Sequence, residues 1–146
     1  IGTFKEETAI GISLIGTFNN TKLSCFRYDY PLIQQTTTYS EISISHPHDI
    51  AAMKLVAICD RGTRKDFVDL YALSKHGVSL EAMMGFYNRK YGALQSNTYT
   101  LIRAIGYLDE ADEDVMPEML IHYTWDEIKR FFIGESLRLA RIYLEK

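Results

Sequence analysis

The sequence predicts an α+β chain in which a short antiparallel β-sheet is followed by a helical bundle. Three observations lead there. Two strand-like segments, Ala9 to Phe18 and Thr21 to Tyr30, flank Asn19-Asn20, a pair able to supply the positive φ angles of a tight turn. The spacing of apolar residues then changes from two to 3.6 around His46-Pro47-His48. From that point on, glycines and capping residues punctuate apolar stripes at helical spacing.

In chain order, AIGISLIGTF (Ala9 to Phe18) is rich in β-branched residues, and TKLSCFRYDY (Thr21 to Tyr30) alternates Leu23 and Cys25 against Ser24, Phe26 and Tyr28. A hairpin over Ile10 to Tyr30 is expected. Pro31 should end its second strand, because proline donates nothing to a ladder, and Leu32 and Ile33 should turn onto the core. The polar QQTTTY (Gln34 to Tyr39) reads as a loop. EISIS (Glu41 to Ser45) reads as a third strand, running directly into a helix that starts near His48 with Pro47 and Asp49 in its first turn.

Gly62 offers that helix a place to stop or bend, and Thr63 a cap for a second one ending at Gly77. Ser79 should cap a third, with Leu80, Met83, Met84, Tyr87 and Tyr91 as its apolar stripe and Gly92 as its stop. Ser96 to Leu108 repeats the pattern. The acidic run DEADED (Asp109 to Asp114) is expected to be a solvated turn, since it lacks the glycine and spaced carboxylates of a calcium loop. Thr124 with Glu127 forms a capping box for the last helix, whose apolar face should be Trp125, Ile128, Phe131, Phe132, Leu137, Ala140 and Leu144.

With 146 residues, 47% hydrophobic and 24% charged, the chain has the size of one globular domain, residues 1–45 forming its β region and 46–146 its helical region. A net charge of −3 gives no general nucleic-acid footprint, so any such contact must come from a local basic patch, here Arg61, Arg64 and Lys65. No apolar run is long enough to span a bilayer, and no basic-then-apolar leader is present, so a soluble, cytoplasmic protein is expected. Cys25 and Cys59, in apolar surroundings and without CxxC spacing, suit reduced buried thiols, although a disulfide between them stays open. His46 and His48 with Asp49 are zinc-type ligands, yet Pro47 at a helix entry explains them and no further ligand completes a set.

The functional signal lies in Asp49 to Leu73, which carries Lys54, Arg61, Arg64, Lys65, Asp66 and Asp69 on segments that also supply core residues. Lys54 and Arg61 are seven residues apart and share a helix face; Lys65 and Asp69 are an i,i+4 pair. By pattern alone surface and structural ion pairs explain these charges better than a site does, because structural pairs outnumber catalytic ones. The exact strings change that weighting. MKL at Met53 to Leu55, Arg61, and KDFVDLYAL at Lys65 to Leu73 resemble the C-terminal signature of the nucleotidyltransferase-like toxins of the AbiEii/AbiGii type. So do YDYPLI (Tyr28 to Ile33), YLDEAD (Tyr107 to Asp112), PEML (Pro117 to Leu120) and TWDEIKRFF (Thr124 to Phe132).

The resemblance implies the C-terminal portion of a nucleotidyltransferase-like fold, an NTP donor, Mg2+, an RNA acceptor such as a tRNA end, and a separately encoded antitoxin. It implies that Lys54 contacts the triphosphate, that Asp69, or failing it Asp66, completes the active site, and that Arg61 and Lys65 orient phosphates. Such families carry a Gly-Ser segment and an Asp-x-Asp pair upstream, and neither is found in this sequence. The 146 residues are therefore expected to be part of a longer protein, to hold no metal themselves and to be inactive alone. The competing reading is a non-catalytic interaction domain whose charge pairs are structural.

Overall fold

A computed structural model describes residues 3–10, 13–92 and 98–145. The α+β class holds: among these residues there are five strands in two antiparallel sheets and six helices. The chain divides into two compact units, one reaching Pro31 and the other starting at Leu32.

The first unit is a three-stranded sheet in the order β1 (Phe4–Ile10), β2 (Ser13–Phe18), β3 (Thr21–Phe26). The expected hairpin is β2–β3, with Phe18 opposite Thr21 and Ser13 opposite Phe26. Asn19 and Asn20 take φ of 47° and 64°, the left-handed pair that matches the twist of the flanking strands. β3 stops at Phe26, short of the expected Tyr30. β1 pairs on the other side of β2, with a register shift between Glu6 and Thr8. Gly16 is required in the central strand, since a Cβ there would collide with the Phe4 ring and the Lys5 carbonyl. Gly11, Ile12 and Ser96, included in the expected elements, lie outside the described residues.

The second unit opens with a small hairpin, β4 (Thr37–Tyr39) and β5 (Ile42–Ile44), turned by Ser40 and Glu41 at φ of 47° and 68°. The loop expected at Gln34 to Tyr39 is thus half strand. Thr37, Thr38 and Tyr39 are all β-formers, but they are exposed, so no apolar alternation marks them.

Helix α1 (Pro47–Asp60) is the hub of this unit, packing against α2 (Arg64–Lys75), α3 (Leu80–Tyr91) and α4 (Thr98–Gly106). His46 caps it, its Nδ1 accepting from the His48 N–H at 3.2 Å, and Pro47 fills the first position, where a missing N–H costs nothing. Ala51, Ala52, Leu55 and Ile58 make its buried stripe. Ser79 caps α3 and Gly77 closes α2 at φ 91°, as expected, and all five residues of the α3 stripe are buried.

The last helix, α6 (Trp125–Tyr143), has the expected capping box. Its buried residues are Ile128, Phe132 and Leu139, whereas Leu137 and Leu144 are exposed, so the stripe turns by two residues in its second half. Phe132 meets Phe67 edge-to-face at 5.0 Å, the geometry aromatic quadrupoles favour.

The acidic run is a helix, not a solvated turn. Asp109–Glu113 forms α5, with Ala111 buried. Its carboxylates sit in a first turn, where the dipole favours them, instead of past a helix end. Arg64 clamps it: its N–H donates to Asp114 at 2.8 Å, its Nε to the Ala111 carbonyl at 2.8 Å and its Nη2 to the Asp112 carbonyl at 2.9 Å. Asp112 in turn accepts from Trp125 and Lys129 of α6.

Two further corrections concern burial. Cys25 is exposed and Cys59 half-buried, and both are free thiols. Asp49 does more than favour the helix dipole: it is fully buried, its carboxylate accepting from Lys90 Nζ at 2.5 Å and from the backbone N–H groups of Ile33 and Gln34 at 3.0 and 3.1 Å. Asp49 thus ties the backbone at Ile33 to α1, but the expected turn onto the core is partial: Ile33 is half-buried and Leu32 is exposed. No helix among the described residues is long and apolar enough to cross a membrane.

Candidate active site

The site is built where α1 hands over to α2. α1 ends at Asp60, the Arg61 N–H closes its last turn on the Ala57 carbonyl at 2.9 Å, and Gly62 reverses the chain at φ 53°. That left-handed angle suits glycine and strains other residues. α2 then begins at Arg64, so its first turn lies back against the final turns of α1. Lys54 and Arg61, on one side of α1 and its end, face Asp66 and Asp69 on α2.

Asp66 is the buried centre, its side chain 0% exposed. Its Oδ1 accepts from Lys54 Nζ at 3.0 Å and Arg61 Nη2 at 3.4 Å, and its Oδ2 from Arg61 Nε at 3.1 Å and the Thr63 hydroxyl at 2.5 Å. Thr63 thus caps no backbone N–H of α2, as its position before the helix had suggested; it serves the carboxylate. Nor does capping account for Asp66, which is bound by two cations from α1 and its end. Lys54 also forms an ion pair with Asp69 Oδ2. The i,i+4 partner expected for Asp69, Lys65, is exposed and has no part in the cluster.

Exposure rises along this chain of charges, from 0% at Asp66 to 23% at Lys54, 47% at Asp69 and 56% at Arg61. The cluster is closed at its base and open at its edge.

The proton equilibria follow the geometry. Burial pushes the Asp66 carboxyl upward, but the hydrogen bonds from Arg61, Thr63 and Lys54 outweigh it and hold the group below its ordinary 3.8. Burial works against the Lys54 ammonium too, yet its bonds to Asp69 and Asp66 raise it above its ordinary 10.5. Asp66 raises Arg61 in the same way. All three are charged at neutral pH. An ammonium has three donors, and two are spent on the aspartates, so Lys54 keeps one for a ligand.

The two carboxylates do not fit a metal centre by themselves. Asp66 receives four donors, as many as a carboxylate has lone-pair positions, and Asp69 shares its charge with Lys54. Among the described residues no group of three or more His, Cys, Asp or Glu side chains is placed to hold an ion. That includes His46 and His48, whose rings stack edge-to-face while His48 lies flat on Phe86 at 4.0 Å. Arg64, counted with Arg61 and Lys65 as a basic patch, is spent on α5 and on the Trp125 ring, which its guanidinium covers at 4.7 Å.

Residues 20–138 match the family described as the nucleotidyl transferase AbiEii toxin of type IV toxin–antitoxin systems. An uncharacterized protein of Aquifex aeolicus (strain VF5) is 33% identical over 136 residues, which covers 91% of this chain and 62% of that relative. This chain therefore spans less than two thirds of that relative's length. No solved structure matches it.

Proposed function

The chain belongs to the AbiEii nucleotidyl transferase toxin family, and from that premise we propose that the Lys54 cluster is the phosphate-handling half of a nucleotidyl-transfer site. The observation that carries the reading is the half-open state of Lys54: its side chain is 23% exposed, its ammonium is fixed by a buried aspartate on one side and paired with a half-exposed one on the other, and a third donor is left over. A cation held this way offsets the charge that develops on a transferring phosphoryl group without having to reorganise.

In this reading Lys54 contacts the triphosphate of an NTP and Arg61 orients it, using the guanidinium face not turned to Asp66. Asp66 positions both cations. Asp69, half-exposed, is the counter-ion that an incoming phosphate displaces from Lys54, which frees its carboxylate to orient the attacking hydroxyl of an RNA acceptor such as a tRNA end. Lys65 adds long-range attraction only. Mg2+ is held by carboxylates other than Asp66, whose lone pairs are taken, and no role of these residues depends on it. The whole protein works in the cytoplasm and has an antitoxin as its partner; the 146 residues alone are inactive.

The test is incorporation of labelled NTP into RNA by the whole protein that carries these residues. Lys54→Ala should reduce transfer by roughly 10²–10³-fold, the loss typical of removing one fixed electrostatic stabiliser. Transfer at the wild-type rate in that variant overturns the reading.

One observation favours a second reading. The saturation of Asp66 by Lys54, Arg61 and Thr63 is what a structural staple between α1 and α2 would show, and the domain would then be a non-catalytic interaction module. In that case Lys54→Ala lowers stability and leaves the whole protein's transfer activity intact.

A further inference from the structure

Arg61 also lines a groove of about 290 Å3 between α1, α4 and α5, together with Asp60, Thr100, Arg103, Tyr107 and Glu110. We propose that this groove receives the base of the nucleotide whose phosphates lie against Lys54 and Arg61, and that it selects bases bearing an exocyclic amine. The inference rests on the nucleotide reading given above.

Three features of the groove point to a base. Its charge is mixed. Arg61 and Arg103 alone would suit a phosphate, but Asp60 and Glu110 beside them repel an anion, whereas a heteroaromatic ring presents both donors and acceptors. Its polar groups are available: among the described residues the side chains of Arg103, Tyr107 and Glu110 make no hydrogen bond or ion pair, although all three are exposed at one place. Planar side chains line it. The Tyr107 ring and the two guanidinium planes are the surfaces on which bases stack.

The amine preference follows from Glu110. Gly62, with no side chain, leaves the groove open under it; a Cβ at that position would stand 3.9 Å from Glu110 Oε2. A carboxylate accepts and cannot donate, so at the edge of a base it favours an amino group and disfavours a carbonyl. Cytosine and adenine satisfy it, and uracil and hypoxanthine place oxygen against oxygen. Arg61 links the two halves of the site, with its Nε and Nη2 on Asp66 and its outer side in the groove.

The experiment is calorimetric titration of the whole protein with CTP, UTP, ATP and ITP, pairs that differ chiefly in that amine. CTP should bind more tightly than UTP, and ATP than ITP, each by roughly tenfold. Glu110→Ala should abolish both preferences, with Glu110→Ala/Asp60→Ala as the second variant if Asp60 compensates, and Arg103→Ala should weaken all four nucleotides together. Glu110 and Arg103 are exposed, and unchanged melting temperatures confirm folded variants. Equal affinity for all four nucleotides, lost in Lys54→Ala and retained in Glu110→Ala and Arg103→Ala, overturns the base groove and leaves the phosphate reading standing. No binding of any nucleotide overturns both.

Discussion

Helix α1 carries two lysine–aspartate sites that differ in one respect. At its start Asp49 meets Lys90 with both side chains 0% exposed, and the carboxylate also takes two backbone N–H groups. One turn further on, Lys54 meets Asp66 and Asp69, and there the exposure rises from 0% to 47% across the partners. The first pair has no route to solvent and can only hold the segment at Ile33 against α1 and α3. The second has one fixed partner and one exchangeable partner. An ion pair can take part in chemistry when one of its members can be replaced by a ligand without unfolding the protein, and of these two sites the Lys54 cluster is the one with a solvent-facing member.

The comparison is broken most severely by removing one member of the closed pair. Lys90→Met leaves the Asp49 charge buried and uncompensated and should cost about 3–5 kcal/mol of unfolding free energy in urea titrations. Asp49→Leu/Lys90→Met should recover part of that loss, because no charge is left buried and unpaired, although the Ile33 and Gln34 N–H groups lose their acceptor. A loss below about 1 kcal/mol in the single variant would mean that water reaches Asp49 and that the two sites are not different in kind.

Asp66→Asn comes next. The amide cannot accept from Lys54, Arg61 and Thr63 as the carboxylate does, and about 1–3 kcal/mol should be lost. The same carboxylate also predicts the acid side of the stability curve. Asp49 and Asp66 are both held below their ordinary 3.8, burial being outweighed by hydrogen bonds from Lys90 and two N–H groups in one case and from Arg61, Thr63 and Lys54 in the other. A depressed folded value means that the stabilisation is complete above 3.8 and is lost as pH falls through the lower folded value. The melting temperature should be flat from neutrality down to about pH 5 and fall steeply below pH 4, less steeply in Asp66→Asn. An identical acid slope in that variant would show that Asp66 contributes nothing to it.

The sequence makes the local parts of this molecule legible and hides the long-range ones. The Asn19-Asn20 turn, the Thr124/Glu127 capping box and the α3 stripe are written within a few residues each, and they fold as read. Lys54, Arg61, Asp66 and Asp69 could be singled out because their spacing and the family signature placed them on two consecutive helices. Nothing local pairs Asp49 with Lys90, 41 residues away, or Arg64 with Asp114, 50 residues away. Each of those partners reads as a solvated charge until the fold brings it home. The acidic run reads as a solvated turn for that reason: Arg64 and Lys129, which tie it to its neighbours as a helix, are contributed by α2 and α6. The groove beside Arg61 was invisible for the same reason, since its walls come from α1, α4 and α5.

The smallest effect on stability, and the sharpest test of the comparison, is expected at Asp69. Its carboxylate is half exposed and has Lys54 as its partner, while Lys54 retains Asp66 when Asp69 is changed. Asp69→Asn should therefore shift unfolding free energy by less than about 1 kcal/mol, the range for solvent-facing pairs. If Asp69 is the exchangeable partner that orients the attacking hydroxyl, the same variant should nonetheless lose NTP transfer in the whole protein, with NTP affinity retained because Lys54 and Arg61 are untouched. Asp66→Asn should show the opposite ranking, with lower stability and a smaller loss of transfer in the folded fraction. Should Asp69→Asn unfold the protein while Asp66→Asn keeps its stability and loses transfer, the assignment is reversed: Asp66 would then carry the chemistry and Asp69 the fold. The two variants differ from wild type by one atom each, so neither outcome can be attributed to a change of volume.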